Sequence, residues 1–336
     1  MKHKNIAIFI PHVGCKNDCS FCNQRTISGT IQPPTKDEVR DILLKASNDI
    51  QEKSSAEIAF FGGSFTAIPK KYMQDLLSVA NEFIGNGKFS GIRISTRPDC
   101  ISQEILELLK QYNVTAIELG AQSMDDTVLQ ANDRGHTAQD VIEASKLIQQ
   151  NHFELGLQMM VGLYQDSRAS VIKTAKEIVK IYPDTVRIYP TVILKGTKLA
   201  YLYQSGEYCP MPLQEAVSIC AELLELFDNN DIKVIKLGLH ASADVERDMT
   251  GGIYHPAFRE LCENEMFYKK ALKLIKDSNQ TNVIIEVHGK NLSKMIGQKK
   301  SNLLKLKELG IQARVLENNN LTKNQIIIKK DVQPCY

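Results

Sequence analysis

The stretch GCKNDCSFCNQRTISG, residues 14–29, sets Cys15, Cys19 and Cys22 within eight positions. The chain's remaining cysteines, Cys100, Cys209, Cys220, Cys262 and Cys335, show no clustered spacing. Three thiols this close together are a donor set. Four would suggest a closed structural zinc site, since such sites are usually four-coordinate. His12 stands near enough upstream to act as the fourth ligand, so counting alone leaves zinc open. A disulfide framework fits less well. The opening MKHKNIAIFIPHVG holds one short apolar run and no signal-peptide pattern. No run of about 18 apolar residues follows, so no membrane span is expected. The expected setting is a reducing cytoplasm, where a tight cysteine cluster reads as metal-binding or catalytic.

The spacing C-x3-C-x2-C, with Phe21 just before the last cysteine, is the signature of the radical S-adenosylmethionine (SAM) enzymes, which this sequence resembles. Thiolates hold iron–sulfur clusters, and three of them leave one iron of a 4Fe–4S cluster without a protein ligand. In the family, the amino and carboxylate groups of SAM chelate that iron. Electron transfer from the reduced cluster then cleaves the sulfonium to methionine and a 5′-deoxyadenosyl radical. The cofactor carries the hard chemistry, and the protein supplies position and exclusion of water. The resemblance implies a 4Fe–4S cluster on Cys15, Cys19 and Cys22, SAM beside it, and a reductant such as flavodoxin or ferredoxin.

Such a loop needs a scaffold. The 336 residues allow one large domain plus a small one, and 43% hydrophobic with 24% charged content is ordinary for a soluble globular protein. Short β-branched and apolar runs at 5–10, 57–61, 91–95, 116–120, 154–160, 185–190 and 233–237 predict strands. Between them, apolar residues at helical spacing predict helices over 36–50, 70–84, 103–112, 138–150, 167–181 and 212–228. This alternation argues for a parallel sheet with helices outside it, either doubly wound or a partial barrel. The cysteine loop follows the first strand and other unusual motifs follow later strands, which favours a barrel whose site lies at the strand C-terminal ends. The expected fold is therefore α/β, a partial (βα)6 barrel over residues 1–250 with a helical connector over 251–280.

FFGGSFTAIP follows the second predicted strand, ISTRPD the third, and IELGAQSMDDTVLQANDRGHT the fourth. Adjacent glycines let backbone approach a ligand closely. An arginine such as Arg134 pairs well with the carboxylate of a chelated amino acid. The series GGSFTAIP, STRPD, ELGAQS, NDRGHT and RIYPTVILKGT, within roughly residues 1–245, resembles the radical SAM domain of the Elongator catalytic subunit and its bacterial and archaeal relatives. That resemblance implies that Gly62, Gly63 and Ser64 lie along the methionyl part of SAM. It implies that Thr96, Glu118, Gln122 and Arg134 line the rest of the pocket, with Tyr189, Lys195 and Lys236 as further candidates near the reaction or the RNA. The family modifies wobble uridine at C5 in tRNA, with an acetyl group from a second, acetyltransferase domain. Two departures limit the transfer. Elongator-type proteins have a longer gap between their first two cysteines, and the roughly 90 residues after 250 are too few for an acetyltransferase.

Residues 281–336 hold ten Lys and Arg against four Asp and Glu, a local excess of six positive charges on an otherwise acidic chain. The sequence there predicts strand (282–287), helix (292–295), turn (297–300), helix (301–309), strand (312–316) and strand (325–329). This order resembles a small α+β KH-type RNA-binding module, in which a GXXG loop clamps the nucleotide backbone. Gly297 matches the first glycine and Lys300 replaces the last. The implied RNA contacts are Lys294, Gly297, Lys299 and Lys300. The function expected is a radical SAM enzyme that modifies a base in tRNA or rRNA. Two alternatives stand beside it: a radical oxidase of a small molecule, of the oxygen-independent coproporphyrinogen oxidase type, and a non-catalytic RNA-binding scaffold. Salt-sensitive RNA affinity separates the first from the small-molecule reading, and SAM cleavage separates it from the scaffold.

Overall fold

Strand order decides between the two α/β architectures. In a computed structural model, which describes residues 4–11, 13–15, 18–29, 32–239 and 243–331, β1 (Lys4–Ile10), β2 (Ala56–Gly62), β3 (Ile92–Thr96), β4 (Val114–Gln122), β5 (Glu154–Val161) and β6 (Thr185–Pro190) lie side by side in chain order. His12 and Cys335 lie outside the described residues. β7 (Val192–Leu194) leaves the sheet, and β8 (Lys233–Leu237) completes it beside β6. All six pairings are parallel. A doubly wound sheet requires a reversal of strand order. Sequential order with right-handed crossovers keeps the helices on one face. The result is a curled, parallel half-barrel whose seventh strand, β8, matches the run predicted at 233–237.

The crossovers carry α1 (Gln24–Ser28) and α2 (Lys36–Asp49), then α3 (Lys70–Asn81), α4 (Gln103–Gln111), α5 (Asp126–Ala131), α6 (Ala138–Gln150) and α7 (Arg168–Ile181). Helix starts follow capping chemistry. Thr35 accepts from the Glu38 N–H while the Glu38 carboxylate accepts from the Thr35 N–H, satisfying two end donors of α2. Thr137 and Asp140 do the same for α6. Alternation along the strands sorts the two sheet faces. Ile58, Ile94, Ile117, Leu157 and Ile188 are fully buried among apolar residues. The opposite parity carries Glu57, Arg93, Glu118, Gln158 and Arg187, which bond to one another on the inner face.

After β7 come α8 (Lys198–Gln204), α9 (Leu213–Asp228), and, beyond β8, α10 (Ala243–Asp248) and β9 (Met249–Gly252), which pairs antiparallel with β7. These elements of three to seven residues, α9 aside, are too short to show a period, and the sequence did not predict them. Contacts divide the chain into two compact units: residues 1–212 with 230–254, and 213–229 with 255–336.

The second unit thus takes α9 as well as the C-terminal residues. α9 packs on α11 (Phe258–Ser278), where Lys269 donates to Ser218 Oγ at 2.8 Å and to Glu222 at 3.1 Å. Cys220 and Cys262, both fully buried, meet between these helices. Next come β10 (Asn282–Val287), α12 (Leu292–Ile296), α13 (Ser301–Glu308), β11 (Gln312–Glu317) and β12 (Ile326–Lys330). β10 is central, parallel to β11 and antiparallel to β12. The element order is the one the sequence predicts. No helix of the described residues is long and apolar enough to cross a membrane.

Candidate active site

Six successive segments open onto one cleft at the C-terminal ends of the strands. Cys15, Cys19 and Cys22 come from the loop after β1, Gly62, Gly63 and Ser64 from the end of β2, and Thr96 and Arg97 from the end of β3. Gly120 and Gln122 come from β4, Arg134 from the loop after α5, and Gln158 from β5. The cavity at the floor of this cleft measures about 120 Å³.

Close backbone packing fixes the cysteine loop. A Cβ on Gly63 would lie 2.2 Å from the Val13 carbonyl oxygen, and one on Gly14 2.4 Å from that of Ser64. Only glycine lets these two loops interlock. The adjacent glycines therefore serve loop-to-loop contact as well as lining the cleft. Farther along, Ser20 is stitched to Asn132: its N–H donates to the Asn132 carbonyl at 3.2 Å and its Oγ to Asn132 Oδ1 at 2.7 Å. The Leu199 N–H donates to the Ser20 carbonyl at 2.7 Å, and Phe21 packs against the apolar cluster of Ile193, Leu199, Ala200, Leu202 and Tyr208. Gln122 takes a left-handed φ of +64° at a β4 irregularity, which turns the strand end toward the cleft.

The residues present fit the implied groups. Three soft sulfur donors share one wall, as iron–sulfur ligation needs. Among the described residues, no group of three His, Cys, Asp or Glu side chains is placed to hold a single metal ion. Two guanidinium nitrogens, Arg97 Nη1 and Arg134 Nε, are buried without a hydrogen-bond partner among the described residues. A carboxylate would satisfy such donors. Arg97 was not singled out from the sequence, although it lies in the quoted ISTRPD. Its Nε and Nη2 hold Asp99 at 2.8 and 3.0 Å.

Glu118 stands apart from the cleft-lining residues. It is fully buried beneath them, held by Arg187 at 2.7 and 2.8 Å, by Gln158 at 2.8 Å and by Arg93 at 3.4 Å. Arg93 also binds Glu57 and Glu154, each at 2.8 Å. Gln158 links this network to the cleft, since it also donates to Ser95 Oγ at 3.1 Å. Tyr189 lies beside Arg187, and burial pushes its phenol up. Lys236 sits opposite Arg187 in the β6–β8 register. Neither lines the cleft. Lys195 is exposed after β7, its Nζ donating to the Arg247 carbonyl at 3.1 Å.

His136 is 5% exposed and its Nε2 meets the Ala121 carbonyl at 3.2 Å. Burial first, then the Arg134 guanidinium, hold its imidazole down at about 4. Unfolding restores the ordinary value near 6.5, so between those pH values the unfolded chain binds more protons and stability falls as pH falls. From pH 7 to pH 5 this one group removes about 2 kcal/mol. The His136→Gln variant is expected to lose that much less over the same interval, measured by urea denaturation at both pH values. An equal loss in variant and parent contradicts the assignment.

In the second unit, the loop between α12 and α13 has positive φ at Gly297 (+76°), Lys299 (+50°) and Lys300 (+64°). Lys300 therefore keeps the left-handed backbone that glycine adopts more cheaply, at a cost of roughly 1–2 kcal/mol. Lys299 and Lys300 are exposed, whereas Lys294 pairs with Glu263 at 3.0 Å.

The model of the radical SAM superfamily matches residues 9–178, and that of the radical SAM C-terminal domain matches residues 183–268. Elongator complex protein 3 of Saccharomyces cerevisiae is 29% identical over 190 residues, covering 51% of this chain and 34% of its own length. The tRNA uridine(34) acetyltransferase of Methanocaldococcus jannaschii is 35% identical over 130 residues, covering 38% of this chain and 24% of its own. The chain thus spans about a third and about a quarter of these relatives. Among solved structures, the archaeal Methanocaldococcus infernus Elp3 with its N-terminus deleted superposes with a TM-score of 0.62 at 19% identity, over 83% of this chain and 63% of that one.

Proposed function

The chain belongs to the radical SAM superfamily, and from that premise we propose that it reductively cleaves SAM at a 4Fe–4S cluster to modify a base in structured RNA. The observation that carries the first half is the convergence of Cys15, Cys19, Cys22, Gly63, Thr96, Gln122 and Arg134 on one cleft. When bound there, cluster and SAM supply a 5′-deoxyadenosyl radical for hydrogen abstraction or radical addition.

The chain's own residues do the rest. Cys15, Cys19 and Cys22 hold the cluster and leave one iron to the cofactor. Arg97 Nη1 and Arg134 Nε, the orphaned donors, bind the methionyl carboxylate. Ser64 and Thr96 share a 3.1 Å hydrogen bond and are both buried, which fixes the wall against which the methionyl group lies. The interlocked glycine loops and the Ser20–Asn132 stitch keep water from opening the cysteine loop. Acid–base catalysis has no assigned part.

Three observations support RNA as the substrate. The C-terminal segment is strongly basic. Its strand–helix–helix–strand–strand order with a lysine-bearing, positive-φ loop suits a phosphate backbone. One relative is named for tRNA uridine 34.

The RNA half is tested by binding of total tRNA at several salt concentrations. Replacing Lys299 and Lys300 with Glu is expected to weaken binding and to flatten the salt dependence by about one unit of slope per lost phosphate contact. Unchanged affinity and slope remove this loop from the interface.

A further inference from the structure

Arg134 makes a contact that cofactor binding does not require. Its Nη1 donates to the Cys19 sulfur at 3.1 Å, while its Nη2 donates to the Gly120 carbonyl at 2.7 Å. Arg134 is 6% exposed, so the contact lies largely out of bulk water. Its position is fixed from both sides. Asn132, fully buried two residues before Arg134, donates to the Val128 and Tyr164 carbonyls and accepts from Ser20, the residue after Cys19. The Arg134 N–H closes the end of α5 on the Leu129 carbonyl at 3.1 Å. Cation and sulfur are therefore presented to each other by a rigid, doubly anchored pair of loops.

Resting on the reading of this cleft as a cluster site, we propose that Arg134 is a positioning residue that sets the cluster's reduction potential through Cys19. One-electron reduction adds a negative charge to the cluster and its sulfurs. A fixed, desolvated cation donating an N–H to a ligand sulfur stabilises the reduced form more than the oxidised one, and hydrogen bonds to sulfur are a recognised lever on such potentials. The low local dielectric enlarges the effect. Arg134 thereby makes the cluster easier to reduce by a flavodoxin- or ferredoxin-class donor, apart from any contact with SAM.

The test is a redox titration, followed by electron paramagnetic resonance, of the anaerobically reconstituted full-length protein without SAM, so that cofactor binding cannot contribute. The Arg134→Met variant is expected to shift the reduction equilibrium at least tenfold toward the oxidised cluster, which is 59 mV for one electron. The Arg134→Lys variant, which keeps the charge but not the fork, is expected to fall between the two. A Met variant with parental iron content and an unshifted potential overturns the inference. Should the Met variant lose its cluster, Arg134→Gln replaces it: Lys must then lie above Gln, and equal potentials overturn the inference. An unsubstituted protein that takes up no 4Fe–4S cluster overturns the cleft reading itself, and this inference with it.

Discussion

Replacing Cys19 with alanine is expected to abolish cluster uptake while leaving the half-barrel folded. The sulfur stands in a loop, half-buried and outside the apolar core. Its loss leaves the Arg134 Nη1 donor unpaired, at a cost of about 1–3 kcal/mol, less than the roughly 5–15 kcal/mol that stabilises a domain. The loop itself is held elsewhere, by the Ser20–Asn132 stitch and by the interlocked Gly14 and Gly63 backbones. What the variant lacks is one of three thiolates, and two cannot hold three irons of a cluster. Iron and acid-labile sulfide after anaerobic reconstitution are expected to fall to background, with a cooperative urea-denaturation transition retained. Parental iron content in the variant contradicts the ligand assignment.

Glu118→Ala is expected to do the opposite: to leave all three thiols in place and destabilise the sheet. Its carboxylate is the common partner of Arg93 and Arg187 on the inner face. Removing it takes a carboxylate partner from each of two buried guanidinium groups. Breaking a buried ion pair by deleting one partner costs about 3–5 kcal/mol, a large part of the roughly 5–15 kcal/mol that stabilises a domain. Arg93 keeps Glu57 and Glu154, so Arg187 bears most of the loss. Adding Arg187→Met to the alanine variant is expected to restore part of the stability, since the uncompensated charge is then gone. Urea denaturation of the single and double variants measures both effects. A Glu118→Ala protein with the parental midpoint and defective SAM binding would instead make Glu118 a cofactor residue, as the family resemblance implies.

That contrast marks what the sequence made legible. Each of the seven sheet strands is a β-branched or apolar run with turn residues around it, and the C-terminal element order is readable for the same reason. The cysteine motif announces its chemistry because three thiols at fixed spacing have few other uses. The pairing of Glu118 is not readable. A carboxylate in the run ELGAQ looks the same whether it faces a cofactor or three inner-face partners, and only register brings Arg93, Gln158 and Arg187 to it. Arg97 was missed although its motif was noticed, because its orphaned Nη1 exists only once Asp99 has taken the other two donors. Gln158 left a fainter trace, a lone polar residue within LGLQMM at inner-face parity. β8, the run predicted at 233–237, returns to the sheet after α9, a helix that groups with the C-terminal unit.

The measurement that bears most directly on the central claim is release of 5′-deoxyadenosine by the reconstituted, dithionite-reduced protein given SAM, with and without total cellular RNA. Release that rises when RNA is added is the predicted result. Slow release indifferent to RNA would keep the radical chemistry and shift the substrate to a small molecule. No release from a cluster-loaded protein, with or without RNA, contradicts the account.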